Sequence, residues 1–157
     1  MYSNILDTVK TSSDREELLS EINQIKTAFY ESAKNLEDVL KSKVRSFFAE
    51  AIRQQIQEGA DLEKYFSGLV KALNGLDEVK LEVALELTYE EIEAISNWIN
   101  KSTGGKTLIS FDVKPNILGG ATVSFKGKYF DGSLLKILDK TLEESRDALI
   151  KQIYLQK

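Results

Sequence analysis

The first 58 residues contain neither glycine nor proline, although the rest of the sequence holds nine glycines and one proline. Both residues interrupt helices, so their absence favours long helical segments in this region. Ser13 and Glu16 have the spacing of a capping box, and Gly59 offers the left-handed conformation that often follows a helix C-terminus. The sequence therefore predicts one helix from about residue 14 to about residue 58.

Apolar residues recur along this segment at intervals of three or four residues. The intervals follow an eleven-residue repeat of about 3.67 residues per turn, which is close to the 3.6 of any amphipathic helix. The segment therefore predicts either a rod with a nearly straight apolar stripe or a short bundle folded back on itself. Seven stripe residues are candidate contacts with a partner helix: Ile22, Ile25, Phe29, Leu36, Leu40, Val44 and Phe47.

The apolar period changes near Gly75. Before it, residues 61–74 predict a second amphipathic helix that this glycine closes. After it, residues 79–87 alternate between apolar and mostly polar side chains, which predicts a strand with one buried face. Thr88 and Glu91 then repeat the capping-box spacing and predict the start of a helix that runs to about residue 101.

Shorter segments complete the second half. Strands are predicted at residues 106–113, 121–126 and 128–130. Ser133 can cap a last helix with this apolar face: Leu134, Leu135, Leu138, Leu142, Leu149 and Ile153. The predicted fold class is α+β, with a long N-terminal helix or short helical bundle followed by a small β-α-β-β-α domain. The predicted domains are a helical stalk or partial bundle at residues 1–75 and an α+β domain at residues 76–157.

Cysteine and histidine are both absent from the sequence. Their absence removes thiol nucleophiles, the commonest metal ligand and the usual general base at neutral pH. Lysine plus arginine number 21 against 25 aspartate plus glutamate, so no basic surface for nucleic acid is expected. No apolar run approaches the length of a membrane span, and the N-terminal residues lack the apolar core of a secretory signal. We therefore expect no catalytic residue, no cofactor and no metal site.

The most distinctive run is FDVKPNILGGATVSFKGKYFDGSLLKIL at residues 111–138. Its turn residues predict backbone roles: the proline fixes φ, the double glycine allows another segment to approach closely, and the Asp-Gly-Ser turn can cap the following helix. None of these residues combines a nucleophile with a base. Six of them are predicted to be structural: Asp112, Gly119, Gly120, Asp131, Gly132 and Ser133.

The series DVKPNILGG at residues 112–120, followed by FDGS at residues 130–133 and a leucine-bearing helix, resembles a known family signature. It is similar to the C-terminal part of the delta subunit of F-type ATP synthases, whose mitochondrial relative is the oligomycin sensitivity conferring protein. Asp112 stands early relative to the commonest family spacing, because residues 114–116 fill the turn. The preceding strand, capped helix and Gly-Lys turn follow the family order, so the resemblance covers residues 76–145.

The resemblance implies a non-catalytic subunit of the peripheral stalk, or stator, which links the catalytic head to the stalk helices and resists the torque of the rotor. It implies two partners, a b-type helical stalk subunit and the alpha subunits of the catalytic head, and no direct membrane span. It also implies a cytoplasmic location with peripheral attachment to the membrane through the complex. The N-terminal part departs from the family, whose delta subunits begin with a larger compact helical bundle, and residues 1–75 are expected to be too few to form it.

Two other classes of protein stay open. A free-standing coiled-coil adaptor or homodimer would share only the fold and would use the predicted helix for self-association. A small enzyme would have to work through carboxylates. Neighbouring pairs such as Glu90 and Glu91 do not face each other on a helix, so the enzyme is the weakest of the three hypotheses.

Overall fold

The computed structural model describes the backbone of residues 2–155 and the side chains of that range except those of residues 33, 145 and 147–155. The chain divides into two compact units. The helical unit comprises Met1–Asp77 and Lys106–Leu108, and the α+β unit comprises Glu78–Gly105 and Ile109–Lys157. The predicted division after residue 75 stays a prediction.

The described part of the helical unit contains five helices. They are α1 (Ser3–Thr8), α2 (Ser12–Glu31), α3 (Ala33–Ser42), α4 (Ser46–Gln57) and α5 (Leu62–Asn74). The continuous helix over residues 14–58 is therefore wrong, and the alternative of a short folded-back bundle is confirmed. The predicted helix at residues 61–74 is also confirmed, with Asp61 as its N-cap.

Two short interruptions break the predicted long helix. Ser32 is extended, with φ −170° and ψ 157°, and its hydroxyl accepts a hydrogen bond from the backbone N–H of Asn35 at 3.2 Å. Serine competes for backbone hydrogen bonds in this way, so it can end one helix and cap the next without glycine or proline. Arg45 leaves the helical region in the same manner, with ψ 138°, before α4 begins.

The start of α2 also differs from the prediction. Thr11, and not Ser13, is the N-cap: its hydroxyl accepts from the backbone N–H of Asp14 at 3.0 Å. The Asp14 carboxylate in turn accepts from the Thr11 N–H at 2.9 Å, which completes a reciprocal capping box. The sequence holds two overlapping patterns of this kind, and the helix uses the earlier one.

The helical unit has a continuous apolar core drawn from all five helices. The stripe of α2 supplies Ile22 and Ile25, and α4 and α5 supply Phe48 and Phe66, all of them at most 2% exposed. α2 packs against both α3 and α5. Because the helices face one another in this way, most of the apolar stripe of α2 is buried inside the unit.

The α+β unit has the predicted order of elements. They are β1 (Asp77–Val83), α6 (Tyr89–Thr103), β2 (Thr107–Val113), a short 3-10 turn (Pro115–Ile117), β3 (Ala121–Phe125), β4 (Lys128–Asp131) and α7 (Leu134–Leu155). The strands form one sheet in the order β2-β1-β3-β4, and β3 runs antiparallel to both β1 and β4. The predicted α+β class is confirmed, and the unit has one strand more than β-α-β-β-α, because the short segment at residues 128–130 forms the separate strand β4.

The first strand is shorter than predicted. It ends at Val83, which pairs with Ala121, the first residue of β3, so β3 offers no residue to pair with β1 beyond that point. Leu85, predicted to face the core, is 77% exposed. The buried face of the sheet packs under α6 and forms a separate core of Val79, Leu81, Val83, Ile99 and Ile109.

Both helices of this unit begin as the sequence predicts. Thr88 and Glu91 make the reciprocal capping box at the start of α6, and Gly104 ends that helix in the left-handed conformation. Ser133 accepts from the backbone N–H of Lys136 at 3.3 Å at the start of α7. Two residues of the predicted apolar face of α7, Leu149 and Ile153, lie outside the described side chains.

Candidate interaction site

The structure separates the seven predicted partner contacts into two groups. Ile22, Ile25, Leu36 and Leu40 belong to the core of the helical unit and are at most 9% exposed. Val44 and Phe47 pack partly buried against that core, and Phe29 is 46% exposed. A partner could reach the buried group only if the helices separated. As partner contacts, the seven residues stay a prediction.

A buried ion pair also closes the helical unit, and the sequence analysis missed it. The Oε1 atom of Glu21 accepts from the backbone N–H of Arg45 at 3.2 Å and from its Nε–H at 2.8 Å. Glu21 is only 8% exposed, so this carboxylate both caps α4 and joins it to α2. The available signal was a carboxylate four residues before Ile25, on the apolar side of α2.

Phe29 borders an open cavity of about 520 Å³ in the helical unit. Ile56, at the end of α4, is 43% exposed beside it. The remaining lining comes from Leu36 and from the loop and first residues that lead into α5, including the carboxylates Asp61 and Glu63. This opening is one place where the predicted stripe leaves apolar surface exposed.

The double glycine of the signature sits where two segments cross closely. Gly120 has φ +73°, and a Cβ built on it would lie 2.3 Å from the carbonyl oxygen of Gly132. The backbone N–H of Gly132 donates to Ala121 O at 3.0 Å, and that of Leu134 donates to Gly119 O at 2.9 Å. These bonds tie the start of β3 to the turn between β4 and α7, where only glycine fits.

The Asp-Gly-Ser turn forms the cap of α7. The carboxylate of Asp131 accepts from the backbone N–H of Ser133 at 2.9 Å. Hydrogen bonds from the Ser133 hydroxyl and from its backbone N–H lower the pKa of Asp131 below its ordinary value. The carboxylate is therefore used inside the turn and helps to set the direction of α7.

Asp112, the remaining signature residue, lies on the opposite side of the sheet from α6. Its carboxylate is 3.7 Å from the Lys80 ammonium, and both side chains are more than half exposed. Beside them Glu82 bonds to the Lys114 ammonium and accepts from the Thr122 hydroxyl at 2.9 Å. These two hydrogen bonds lower the pKa of Glu82, and the bond to Glu82 raises the pKa of Lys114. The face is a polar, cross-strand ion-pair surface.

An apolar groove of about 360 Å³ opens between α6 and the sheet. Trp98, which is 68% exposed, forms part of the α6 wall. The lining is Val79, Leu81, Ile95, Trp98, Ile99, Ser102, Thr103, Val123 and Phe125. The hydroxyls of Ser102 and Thr103 donate to α6 carbonyls at 2.8 and 3.0 Å, so the polar groups at the rim are already bonded. The groove therefore offers an apolar contact surface whose two rim hydroxyls are engaged within α6.

The last helix carries a second open apolar surface. Five residues of its first half are each between 38% and 66% exposed: Leu134, Leu135, Ile137, Leu138 and Leu142. They lie on one side of the helix, as the three- and four-residue spacing requires, and we call them the α7 stripe. A contiguous exposed apolar surface of this kind is typical of a contact with another protein.

Among the described residues, no three carboxylates, histidines or cysteines are grouped closely enough to hold a metal ion. No helix in the described part of the chain is long and apolar enough to cross a membrane. The groove and the α7 stripe are the open apolar surfaces of the α+β unit, and together we take them as the candidate interaction site.

Comparison with known proteins gives the family. The family model of the ATP synthase delta (OSCP) subunit matches residues 51–144. The chain belongs to this family, as the signature in residues 112–133 indicated. The match begins within α4 of the helical unit, so it reaches further towards the N-terminus than the resemblance at residues 76–145.

Individual relatives agree with the family match. The chain is 25% identical over 143 residues to ATP synthase subunit delta of Geobacter sp. (strain M21), covering 82% of this chain and 79% of that protein. It is 32% identical over 139 residues to mitochondrial ATP synthase subunit 5 of Schizosaccharomyces pombe, covering 85% of this chain and 59% of that protein. The delta subunit of Heliobacterium modesticaldum is 28% identical over 75 residues. That alignment spans 40% of the relative's length.

Among solved structures, the chain is similar to a chain of the Polytomella F-ATP synthase, with a TM-score of 0.42 and 17% sequence identity. The alignment covers 48% of this chain and 98% of that chain.

Proposed function

We propose that this protein is a non-catalytic stator subunit of an F-type rotary ATP synthase. The family match over residues 51–144 is the observation that carries the proposal. In that role the chain would join the catalytic head to the peripheral stalk and resist the torque of the rotor. It would act at the membrane only through the complex, as a peripheral component on the cytoplasmic side.

The electrostatics of the described residues support a role without catalysis. Each carboxylate whose pKa is lowered is held by a structural partner: Glu37 by Arg53, Glu82 by Lys114 and Asp131 by Ser133, for example. Catalytic acids and bases need the opposite arrangement, in which burial or a like charge brings the pKa towards neutrality. These three carboxylates therefore serve a helix cap and ion pairs.

The open surfaces suggest how two kinds of partner would dock. The α7 stripe has the length and spacing to pair with another amphipathic helix, so we assign it to a b-type stalk subunit. The helical unit, with the cavity beside Phe29 and Ile56, would bind the alpha subunits of the catalytic head. Residues 1–75 and 76–157 would then act as the head-binding and stalk-binding domains.

The bundle changes the mechanical part of the proposal. A continuous helix could itself have served as a stiff rod, whereas five short helices cannot span that distance. The protein would instead act as a joint between the head and a stalk helix supplied by another subunit. Its contribution to torque resistance is then the strength of its two interfaces.

Purification from native membranes tests the proposal. A tagged copy of the chain, expressed in its host and released with a mild detergent, should bring down the head and stalk subunits in fixed proportion. The variant Leu138→Asp with Leu142→Asp should lose the stalk subunit, because it places two charges in the α7 stripe. Lys140→Gln is the matched control, since it removes one charge on the opposite side of the same helix.

Two results would contradict the proposal. One is elution of the tagged wild-type chain without synthase subunits, and the other is a double variant that keeps the native proportion of stalk subunit. The alternative, a free-standing adaptor or homodimer, requires that the purified chain self-associate through the same stripe. Light scattering at several concentrations, with and without synthase subunits, separates these two functions.

A further inference from the structure

The connection between α2 and α3 is a single residue. α2 ends at Glu31 and α3 begins at Ala33, so only Ser32 lies between the two helices. Its φ of −170° and ψ of 157° are extended. A change of these two angles to about −63° and about −42° would join α2 and α3 into one continuous helix.

Two backbone hydrogen bonds at this connection already join residues four positions apart, as in a continuous helix. The N–H of Ser32 donates to Ala28 O at 3.2 Å, and the N–H of Leu36 donates to Ser32 O at 3.0 Å. The break itself is capped by the N–H of Asn35, which donates to the Ser32 hydroxyl at 3.2 Å. In a continuous helix the same N–H would donate to Glu31 O instead.

The second break in the helical unit, at Arg45, is held by a longer-range contact. The backbone N–H and the Nε–H of Arg45 donate to Glu21 at 3.2 and 2.8 Å, so this break depends on the packing of α2 against the start of α4. The cap at Ser32 comes from three residues away, within α3 itself. Of the two breaks, the one at Ser32 is therefore the one that straightens more readily.

The apolar spacing of the sequence continues through the Ser32 break. Ile25, Phe29, Ala33 and Leu36 follow one another at intervals of four, four and three residues. A straightened helix would therefore keep one continuous apolar face. For residues 12–42 that helix would be about 46 Å long, since each residue adds about 1.5 Å.

Straightening within a single chain would separate α2 from the rest of its own core. Ile22 and Ile25 of α2 are fully buried, and α2 packs against both α3 and α5. A straightened chain would expose these residues to water, at a cost of about 1.5–3 kcal/mol for each such side chain. A surface of the same shape is available on a second copy of the chain, which has separated from its own α2 in the same way.

We propose that two copies of this chain exchange α1 and α2 by straightening at Ser32, and so form a domain-swapped dimer. In that dimer α2 of each copy packs on α3 and α5 of the other, and Glu21 of each copy bonds to Arg45 of the other. Each core keeps the contacts of the single chain, so the two forms differ at the two hinges and in the entropy of association. Short hinges favour such an exchange. The inference concerns the free chain and goes beyond the proposed stator role.

Substitutions at the hinge should change the dimer without altering the core. Ser32→Ala removes the cap and favours a helix, so it should strengthen self-association at least about tenfold. Ser32→Gly keeps an acceptable N-cap and disfavours a helix, so it should weaken self-association. Ser20→Ala is the matched control, because Ser20 is exposed and lies inside α2 in both forms. Light scattering of the full-length proteins over a range of concentrations gives the association constants.

The buried ion pair tests whether α2 is the element exchanged. Glu21→Arg in one chain and Arg45→Glu in another each place two like charges in contact, so each variant alone should be less stable than the wild type. When the two variants are unfolded together and refolded, a swapped dimer restores an opposite pair in both cores. The mixture should then unfold at a higher temperature than either variant and contain the two chains in equal amounts. The double variant Glu21→Arg with Arg45→Glu in one chain gives the stability of the reversed pair.

Three results would overturn the inference. One is equal self-association of the wild type, Ser32→Ala and Ser32→Gly. Another is a mixture no more stable than its two components, although the one-chain double variant is stable. The third is a dimer that disappears in Leu138→Asp with Leu142→Asp, because two copies then associate through the α7 stripe. If the one-chain double variant is itself unstable, the Ser32 series decides.

Discussion

The apolar stripes of α2 and α7 have the same residue spacing, but the first is buried and the second is exposed. Ile22 and Ile25 of α2 are completely buried within the helical unit, whereas Leu138 and Leu142 of α7 are 42% and 66% exposed. The difference lies in what surrounds each helix. α2 packs against α3 and α5, which follow it in the chain, whereas the main contact of α7 among the described elements is with the short turn at residues 115–117.

The periodicity of a helix identifies its apolar face but not the segment or partner that buries this face. An amphipathic helix must bury its stripe against something, and the sequence of the helix does not say whether that is the same chain or another. The helical unit buries most of the α2 stripe internally and leaves Phe29 46% exposed. The α+β unit leaves two apolar surfaces open, the groove beside Trp98 and the α7 stripe.

The sharpest test makes the same change in both stripes. Ile22→Asp should destabilise the helical unit by more than about 4 kcal/mol, because it buries a carboxylate without a partner. Leu142→Asp in the isolated chain should change the stability of the α+β unit by less than about 0.5 kcal/mol. Urea unfolding followed by hydrogen exchange, which assigns each change to its unit, measures both. A large loss for Leu142→Asp would mean that the α7 stripe is covered in the free chain.

Substitutions at the two adjacent glycines, Gly119 and Gly120, test how closely the segments of the α+β unit are packed. Gly120→Ala should destabilise the α+β unit by about 2–4 kcal/mol, since the new Cβ meets the Gly132 carbonyl and φ is positive. Gly119→Ala is the control: its Cβ would lie 3.6 Å from the Leu134 side chain, an ordinary contact, so its effect should stay within about 1 kcal/mol. Thermal unfolding of both variants checks the difference. Equal effects would contradict the close crossing.

A buried hydroxyl offers a way to stabilise the α+β unit. Ser96 on α6 is fully buried, and its Oγ has no hydrogen-bond partner among the described residues. Ser96→Ala should therefore stabilise the unit by about 1 kcal/mol. Ser102→Ala, on the exposed part of the same helix, should change stability by less than about 0.5 kcal/mol. If Ser96→Ala destabilises the unit in urea, the hydroxyl has a partner in solution.

The smallest expected effect is electrostatic and concerns the polar face of the sheet. The pKa of Glu82 is lowered in the folded chain, first by its bond to Lys114. Its stabilising contribution is therefore present above the ordinary glutamate pKa and is lost as the pH falls through the lowered value. The difference in unfolding free energy between wild type and Glu82→Gln should be largest near neutral pH and shrink in acid.

The partner of Glu82 supplies the control for this pH dependence. In a Lys114→Met background the main cause of the lowered pKa is gone, so the effect of Glu82→Gln should depend less on pH. Urea unfolding of the four proteins at several pH values gives the comparison. An unchanged pH dependence in the Lys114→Met background would show that this ion pair does not form in solution.

Much of the fold follows from local patterns that can be identified in the sequence. The Thr88 and Glu91 capping box, the helix at residues 61–74 and the order of the strands were predicted because each depends on neighbouring residues. The breaks at Ser32 and Arg45 were not predicted. Neither residue is a strong helix breaker. The break at Ser32 is capped locally by the bond from the Asn35 N–H, whereas the break at Arg45 is stabilised by its bonds to Glu21, which lies far away in the chain.

Prediction of the candidate site from the sequence is limited in the same way. The signature residues could be identified from the sequence because their backbone roles are local, as at Gly120 and Ser133. The groove could not, because Trp98 and Phe125 lie far apart in the sequence and meet only when the sheet forms. Trp98 has the spacing of a core residue on α6, yet the sheet beneath it is covered only in part.

The sequence by itself determined which segments are helices and strands, which side of each is apolar, and the family to which the chain belongs. These properties depend on residues a few positions apart, where spacing and capping act directly. The tertiary structure alone decided which apolar sides are buried. Burial depends on segments brought together from distant parts of the chain, and for α7 and the groove no described segment of the chain supplies the cover.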